Sequence, residues 1–382
     1  MISNIKRTKK RIRIVFIVLA SVFAGYVLRG YFPATLKVLE ESAMLSAAMM
    51  MPEGGAGLAK ELYFSPKEQI SKDLPSVSGH DEENEPFADD TSKSESPSSV
   101  PSVSSTAEAY AVNILEKNRM PIKEETFGHA GSSYDSVWVQ NRTKNHSVDI
   151  KAELSKKVDF KIEKNDKPQV LIVHTHTTEA FEASPLPYYD KTKNSRTRDY
   201  SKNIAAVGEA ITSALNAKGI KTVQDKTIHD DPSYTGAYDR SKVTIQNMIK
   251  KYPSIKVVID VHRDAITRDN GTKIKPVVTI NGKKAAQIMI VTGCDDDGTL
   301  GFPDWEMNLR FAVRLQQTTE KMYPMFARPV SFAVKKYNMN INHGSLLVEF
   351  GSEANTLDEA IYSGQLFANS LAETLNKINN EK

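Results

Sequence analysis

Val170-Leu-Ile-Val-His174-Thr-His176-Thr-Thr-Glu179 decides how this chain is read. An apolar run passes straight into two histidines and a carboxylate. Continuous apolar runs mark parallel strands buried on both faces, and ligands gather where such strands end. His174 and His176 stand two apart, so on an extended backbone both imidazoles face the same side. The pattern returns as Lys256-Val-Val-Ile-Asp260-Val-His262-Arg263-Asp264. A third run, Ser345-Leu-Leu-Val-Glu349-Phe-Gly351, carries a carboxylate where a core strand has another valine. Strands that deliver His, His and Glu to one sheet edge predict a metallohydrolase site.

The surrounding chain has 382 residues, enough for one or two domains with a proper core. A net charge of +3 is too mild to argue for nucleic acid as a partner. Cys294 is the single cysteine, which excludes a disulfide framework and a cysteine-rich zinc site.

The first residues set the expected address. Lys6, Arg7, Lys9, Lys10, Arg11 and Arg13 precede an apolar stretch from Ile14 to Leu28. That stretch is short for a spanning helix, but Arg29 can snorkel, and Tyr31 and Phe32 suit the interface before Pro33. Positive charge ahead of the span keeps the N-terminus cytoplasmic and exports everything after it. The expectation is a single-pass cell-membrane protein with an extracytoplasmic catalytic domain. A cleavable signal peptide, with Val22-Phe-Ala24 as its processing site, is the alternative and exports the same region.

Boundaries follow from composition. Residues 1–33 read as cytoplasmic tip and transmembrane anchor, and 34–64 as a juxtamembrane segment. Residues 65–106, rich in Ser, Pro, Asp and Glu, read as a disordered linker that buries too little apolar surface to fold. Residues 107–382 read as the catalytic domain, with its core over 167–382. Helices are predicted over Asp199–Ala217, Ala237–Lys251, Trp305–Met322 and Thr356–Ile378. Further strands are predicted over Ile220–Val223, and over Lys275–Ile280 and Ala286–Val291 around an Asn281-Gly282 hairpin turn. Alternating strands and helices make a layered α/β fold, a mixed sheet with flanking helices.

Catalytic zinc takes protein ligands from His and carboxylates and keeps a position open. His176, His262 and a carboxylate such as Glu179 supply a ligand set, which leaves Glu349 as general base. His174 either joins the metal or orients a ligand from behind. Asp260 or Asp264 can fix the tautomer of His262, and Arg263 can grip a substrate carboxylate. His343 lies just before the Glu349 strand and is a further candidate. His80, His129, His146 and His229 stand in polar stretches without evident partners. Asp295-Asp-Asp-Gly298 has the look of a calcium loop, but a solvated turn is the better reading.

At these residues the chain resembles the stage II sporulation protein P family. The resemblance runs from Asn141 to the C-terminus. It rests on Val170-Leu-Ile-Val-His-Thr-His-Thr-Thr-Glu-Ala-Phe181, Asn203-Ile-Ala-Ala-Val-Gly208, Val258-Ile-Asp-Val-His-Arg-Asp-Ala265 and Leu346-Leu-Val-Glu-Phe-Gly-Ser-Glu-Ala-Asn-Thr-Leu-Asp-Glu-Ala360. A departure falls at Tyr337-Asn338-Met-Asn-Ile-Asn-His343, where the family has a Tyr-Asn-Gln start and a Pro-Gly approach. The resemblance implies a zinc amidase-like fold and a Zn(II) cofactor. It implies cleavage of the N-acetylmuramoyl-L-alanine bond of peptidoglycan, and also of peptide cross-links, during forespore engulfment, at the sporulation septum or engulfing membrane. Stage II sporulation proteins D and M are its implied partners. Glu349 maps onto the catalytic glutamate of amidase relatives, His262 onto their mid-chain ligand, and His176 or His174 onto the first. Their carboxylate ligand begins the first helix, which maps onto Asp199, whereas motif proximity favours Glu179. Competing readings are a membrane-tethered wall-binding scaffold and a metal-dependent deacetylase of wall sugars.

Overall fold

The computed structural model describes residues 117–381. The expected anchor, juxtamembrane segment and linker all lie outside the described residues. Among the described residues no helix is long and apolar enough to cross a membrane.

In chain order the strands are β1 (Arg119–Glu125), β2 (Ser132–Tyr134), β3 (Val137–Asn141), β4 (Val170–Val173), β5 (Tyr188–Asp190) and β6 (Thr222–Gln224). They continue as β7 (Val257–Asp264), β8 (Lys273–Ile280), β9 (Lys283–Ala286), β10 (Ile288–Gly293), β11 (Val330–Ala333) and β12 (Ser345–Ser352). The helices are α1 (Ile150–Ser155), α2 (Ile204–Ala217), α3 (Ala237–Lys251), α4 (Trp305–Met322) and α5 (Leu357–Asn380). A mixed main sheet has the order β2-β3-β11-β10-β12-β7-β4-β6, and a smaller sheet has the order β5-β1-β8-β9. The fold is mixed α/β, as the alternation of elements predicts.

The apolar strands sort their side chains by parity. Val170 and Ile172 of β4, Val257, Ile259 and Val261 of β7, and Leu346, Val348 and Phe350 of β12 join one core, shared with residues of α2, α4 and α5. Leu171, Val173 and Val258 face the other way and meet Ile245 of α3. On that second face, Leu347 packs with Met289 and Val291 of β10 against Tyr238 and Tyr337. Asp260, His262 and Glu349 share the parity of Val258 and Leu347, so they interrupt the apolar surface on the α3 side. This places the site.

Several boundaries move for local reasons. Helix α2 starts at Ile204 because the Asn203 side chain accepts from Ala205 N. Helix α5 starts after Thr356, which forms a capping box with Glu359. The strand expected at Ile220–Val223 forms over Thr222–Gln224. The Asn281-Gly282 turn forms with both residues at positive φ, 51° and 76°, joining β8 to β9. The strand expected over Ala286–Val291 is two strands instead. Gln287 is fully buried and makes the corner, bonding Phe127 N and O and Met325 O through its side-chain amide. The chain thereby leaves the small sheet and enters the main one. The core also begins before residue 167, since Val137, Val139, Ile150 and Ile162 are buried in it.

Strand β12 is irregular just past Glu349, with a register shift between Glu349 and Ser352. Gly351 sits there at φ 68°, and a Cβ would fall 2.4 Å from Asn355 Oδ1 and 2.8 Å from Ala286 Cβ. Asn355 Oδ1 cannot retreat without losing its bond to Ser352 N. Gly351→Ala is therefore expected to destabilise the protein by about 1–3 kcal/mol, read as a melting temperature lower by several degrees. An unchanged melting temperature would show that the bulge tolerates a side chain.

Candidate metal centre

His262 and Glu349 are register partners across the parallel β7–β12 pair, so their side chains start side by side. His176 arrives differently. The extended backbone of β4 stops at Val173, and the chain turns so that Glu179 N donates to His176 O at 3.1 Å. The turn is stiffened by Thr177, whose hydroxyl donates to His174 O and to Thr227 O. The loop after it then folds back through isolated bridges, Glu179 with Arg196 and Ala180 with Asn203. One carboxylate ends up between two imidazoles. Glu179 Oε1 lies 3.5 Å from His176 Nδ1, and Glu179 Oε2 lies 3.7 Å from His262 Nδ1. One donor atom from each residue fits within 4.8 Å of the others.

Groups behind these residues fix them. His262 Nε2 lies 2.9 Å from Asp260 Oδ1, which leaves Nδ1 on the Glu179 side. Asp260 is itself held by Thr175, through its N–H at 2.8 Å and its hydroxyl at 2.6 Å. Glu179 Oε2 accepts from Arg263 N at 3.0 Å. Arg196 reaches Glu179 at 3.8 Å and is tied to Asp230, which also accepts from Thr178.

The protonation pattern follows from this packing. Burial acts to raise Glu179, but the His176 hydrogen bond, His262 and Arg263 outweigh it and keep the carboxyl well below its usual range. Burial acts to lower His262, yet Asp260, then Glu179 and Glu349, raise it to about 10. Burial lowers His176. Glu349 is pushed up to about 8, by burial first and by Asp264 second. Its Oε2 is buried without a hydrogen-bond partner among the described residues. Asp264 is pinned by Arg328 at 2.9 Å.

These groups line a cavity of about 210 Å³, walled by Tyr234, Tyr238 and Tyr337. Tyr234 stacks on His176 at 4.3 Å between ring centroids, and Arg196 lies over Tyr234 at 4.8 Å. Two imidazoles and a carboxylate are the donor set zinc uses at catalytic centres. Negative charge from Asp260 and Glu179 converges on His262 in a buried place, which suits a divalent cation. The residues present fit the group.

The family model described as Stage II sporulation protein P matches residues 65–372. The chain belongs to the stage II sporulation protein P family. Stage II sporulation protein P of Bacillus subtilis (strain 168) is 28% identical over 225 residues, which cover 56% of this chain and 51% of that protein. The match thus spans about half of the curated relative. Among solved structures, the N-acetylmuramoyl-L-alanine amidase AmiC2 of Nostoc punctiforme is similar at 14% identity and a TM-score of 0.33, covering 56% of this chain and 97% of that chain. The N-acetylmuramoyl-L-alanine amidase from Clostridium difficile 630 is similar at 15% identity and a TM-score of 0.34, covering 57% and 100%.

Within this family member, the structure brings His176, Glu179, His262 and Glu349 together. It leaves Asp199 at the surface, paired with Lys202 at 2.7 Å. His174 is not at the cluster. It keeps the parity of Val170 and Ile172, so its ring enters the α2 side, where Nδ1 lies 3.0 Å from Val261 O and Nε2 lies 2.9 Å from Gln224. Both imidazoles do not face one side, because the backbone turns after Val173. Arg263 touches the cavity, but its guanidinium is engaged by backbone carbonyls. Nε donates to Ala180 O at 2.6 Å, and the terminal nitrogens donate to Ser195 O and Asp264 O. Strand alternation turns it away from His262, and the 179–203 loop closes on it.

His343 does not reach the site and pairs with Asp159 and Asp304. His229 has partners after all, His174 O and Thr244, both at 2.8 Å. His129 stacks on Trp138 and pairs with Glu320. His80 lies outside the described residues. Asp295 accepts from Gly298 N and Phe302 N, which makes that segment a turn. Sequence reasoning missed Arg196, Asp230 and the three tyrosines. Only Tyr238, an aromatic in the first turn of an amphipathic helix, carried a signal.

Burial lowers His174 from 6.5 to about 4, so the folded state refuses a proton that the unfolded chain accepts. Its contribution to stability is present above pH 6.5 and is lost as pH falls toward 4. Glu349, raised in the fold, acts in the opposite sense over part of this range. The measurement is therefore a difference. In metal-stripped protein, His174→Gln should gain melting temperature relative to wild type as pH drops from 6.5 toward about 4.5. Parallel curves would show that His174 protonates freely in the folded state.

Proposed function

We propose that this chain is a metal-dependent peptidoglycan hydrolase that cleaves the N-acetylmuramoyl-L-alanine amide bond during sporulation. The observation that carries this reading is Glu349, a buried carboxylate in an otherwise apolar strand. It stands beside His262 with an unpartnered Oε2 and faces the His176–Glu179–His262 cluster. Burying such a group without a partner costs several kcal/mol, so the fold keeps it against a structural disadvantage.

His176, Glu179 and His262 would hold the zinc ion. When bound, zinc supplies a Lewis acid that polarises a carbonyl and lowers the pKa of water to roughly 7. Asp260 orients His262, and the Arg263 amide and Arg196 hold Glu179 in place. Glu349 Oε2 takes a proton from the attacking water and returns it to the leaving nitrogen of L-alanine. Its upward shift, to about 8, suits a group that both accepts and donates near neutrality. The three tyrosines offer the glycan and peptide aromatic faces beside the cluster.

The family supplies the proposed setting: cross-link peptides as a second substrate, stage II sporulation proteins D and M as partners, and forespore engulfment as the occasion. The basic cluster before Ile14 supports a membrane-anchored chain with its catalytic region outside the cytoplasm. A wall-binding scaffold has no use for a buried base facing a metal cluster, so that reading ranks below the hydrolase.

Glu349→Gln keeps shape and removes the base. It should retain wild-type zinc content and melting temperature while cleaving peptidoglycan at least roughly 100-fold more slowly. His262→Ala should lose zinc and activity together. A stable, zinc-loaded Gln variant with near wild-type cleavage would end the role given to Glu349.

A further inference from the structure

Strand β10 runs antiparallel to β12, so the loop after Gly293 lies at the sheet edge opposite Glu349. There it meets the loop after β3. One donor atom each from His146, Cys294 and Asp296 lies within 4.8 Å of the others. We infer that His146, Cys294 and Asp296 form a second metal site, one of the zinc class.

The donor types carry the argument first. Thiolate, imidazole and carboxylate together suit zinc, whereas calcium and magnesium take oxygen. Cys294 is fully buried, and its thiol donates to Ala333 O at 3.5 Å. His146 Nε2 is a buried atom 2.7 Å from Asp296 Oδ1, so these two donors already face each other. Asp296 sits at the rim, which gives an ion a way in and leaves room for a water ligand.

The scaffold behind the donors is the second support. Asn141 Nδ2 donates to His146 O at 2.7 Å, and the His146 ring packs edge-on to Trp305 at 4.9 Å. Asn145 Nδ2 donates to Asp296 Oδ2 at 3.0 Å, leaving Oδ1 toward His146. Of the aspartates in the turn, Asp295 and Asp297 close it by accepting backbone N–H groups. Asp296 is the one presented to the histidine. Metal entry releases the thiol proton to solvent and leaves sulfur as thiolate. The ion would then staple the β3 loop to the main sheet.

The test uses the full chain reconstituted with zinc or cobalt(II), independently of peptidoglycan cleavage. Wild type should bind about two ions per chain, and Cys294→Ser and Asp296→Asn about one each. The cobalt form should show a sulfur-to-metal charge-transfer band that Cys294→Ser lacks, while His262→Ala keeps it. Asp296→Asn, at the rim, guards against a core variant that fails to fold. A wild-type chain with about one ion and no such band overturns the inference, as does undiminished stoichiometry in Cys294→Ser. Loss of the centre at His176 and His262 would instead leave the band intact, so the two readings fail separately.

Discussion

A carboxylate held in the interior between two imidazoles governs this structure. Glu179 is nearly inaccessible to solvent, and a desolvated charge of that kind is costly unless its oxygens are satisfied. The chain satisfies them with an amide from β7, a guanidinium from a returning loop, and two rings, one from the turn after β4 and one from β7. Each contribution demands a particular backbone path. The turn after Val173 presents His176, the 179–203 loop returns Arg196, and β7 must pass with the parity that points His262 inward. The loop and the cavity it roofs exist in this form because the charge has to be neutralised there.

Parity in the main sheet does the rest. One face of β4, β7 and β12 builds an uninterrupted core with α2, α4 and α5. The other face is apolar where α3 covers it and changes to Asp260, His262 and Glu349 beyond that cover. Chemistry is thereby placed on rigid strands, with the tyrosines of α3 and neighbouring loops as the adjustable wall. The bulge at Gly351 ends the regular ladder next to Glu349, and Asp264, pinned by Arg328, supplies the negative neighbour that helps hold the Glu349 carboxyl proton.

Much of this was legible in the sequence because the central strands are unbroken apolar runs and the helices have amphipathic spacing with clear stops. Ala237–Lys251 and Trp305–Met322 form with the expected ends. Glu349 was conspicuous as one carboxylate among valines and leucines. What escaped depends on backbone direction or distant contacts. A period-two argument put His174 with His176, but it holds only while the strand lasts, and β4 stops at Val173. Arg263 looked available for substrate because nothing local reveals that a distant loop closes on its guanidinium. Gln287 gave no hint of a corner, since its partners, Phe127 and Met325, are remote in sequence. Strand β2, with three residues, is too short for periodicity to show.

The central claim is that His176, Glu179, His262 and Glu349 cut an amide between glycan and peptide with a metal in place. Mass analysis of purified peptidoglycan digested by the zinc-loaded full chain tests it most directly. The account predicts free stem peptides beginning with L-alanine, glycan strands that keep their acetyl groups, and no products after chelation. Stem peptides still attached to glycans that have lost acetyl groups, or an unchanged wall despite full metal loading, would contradict it.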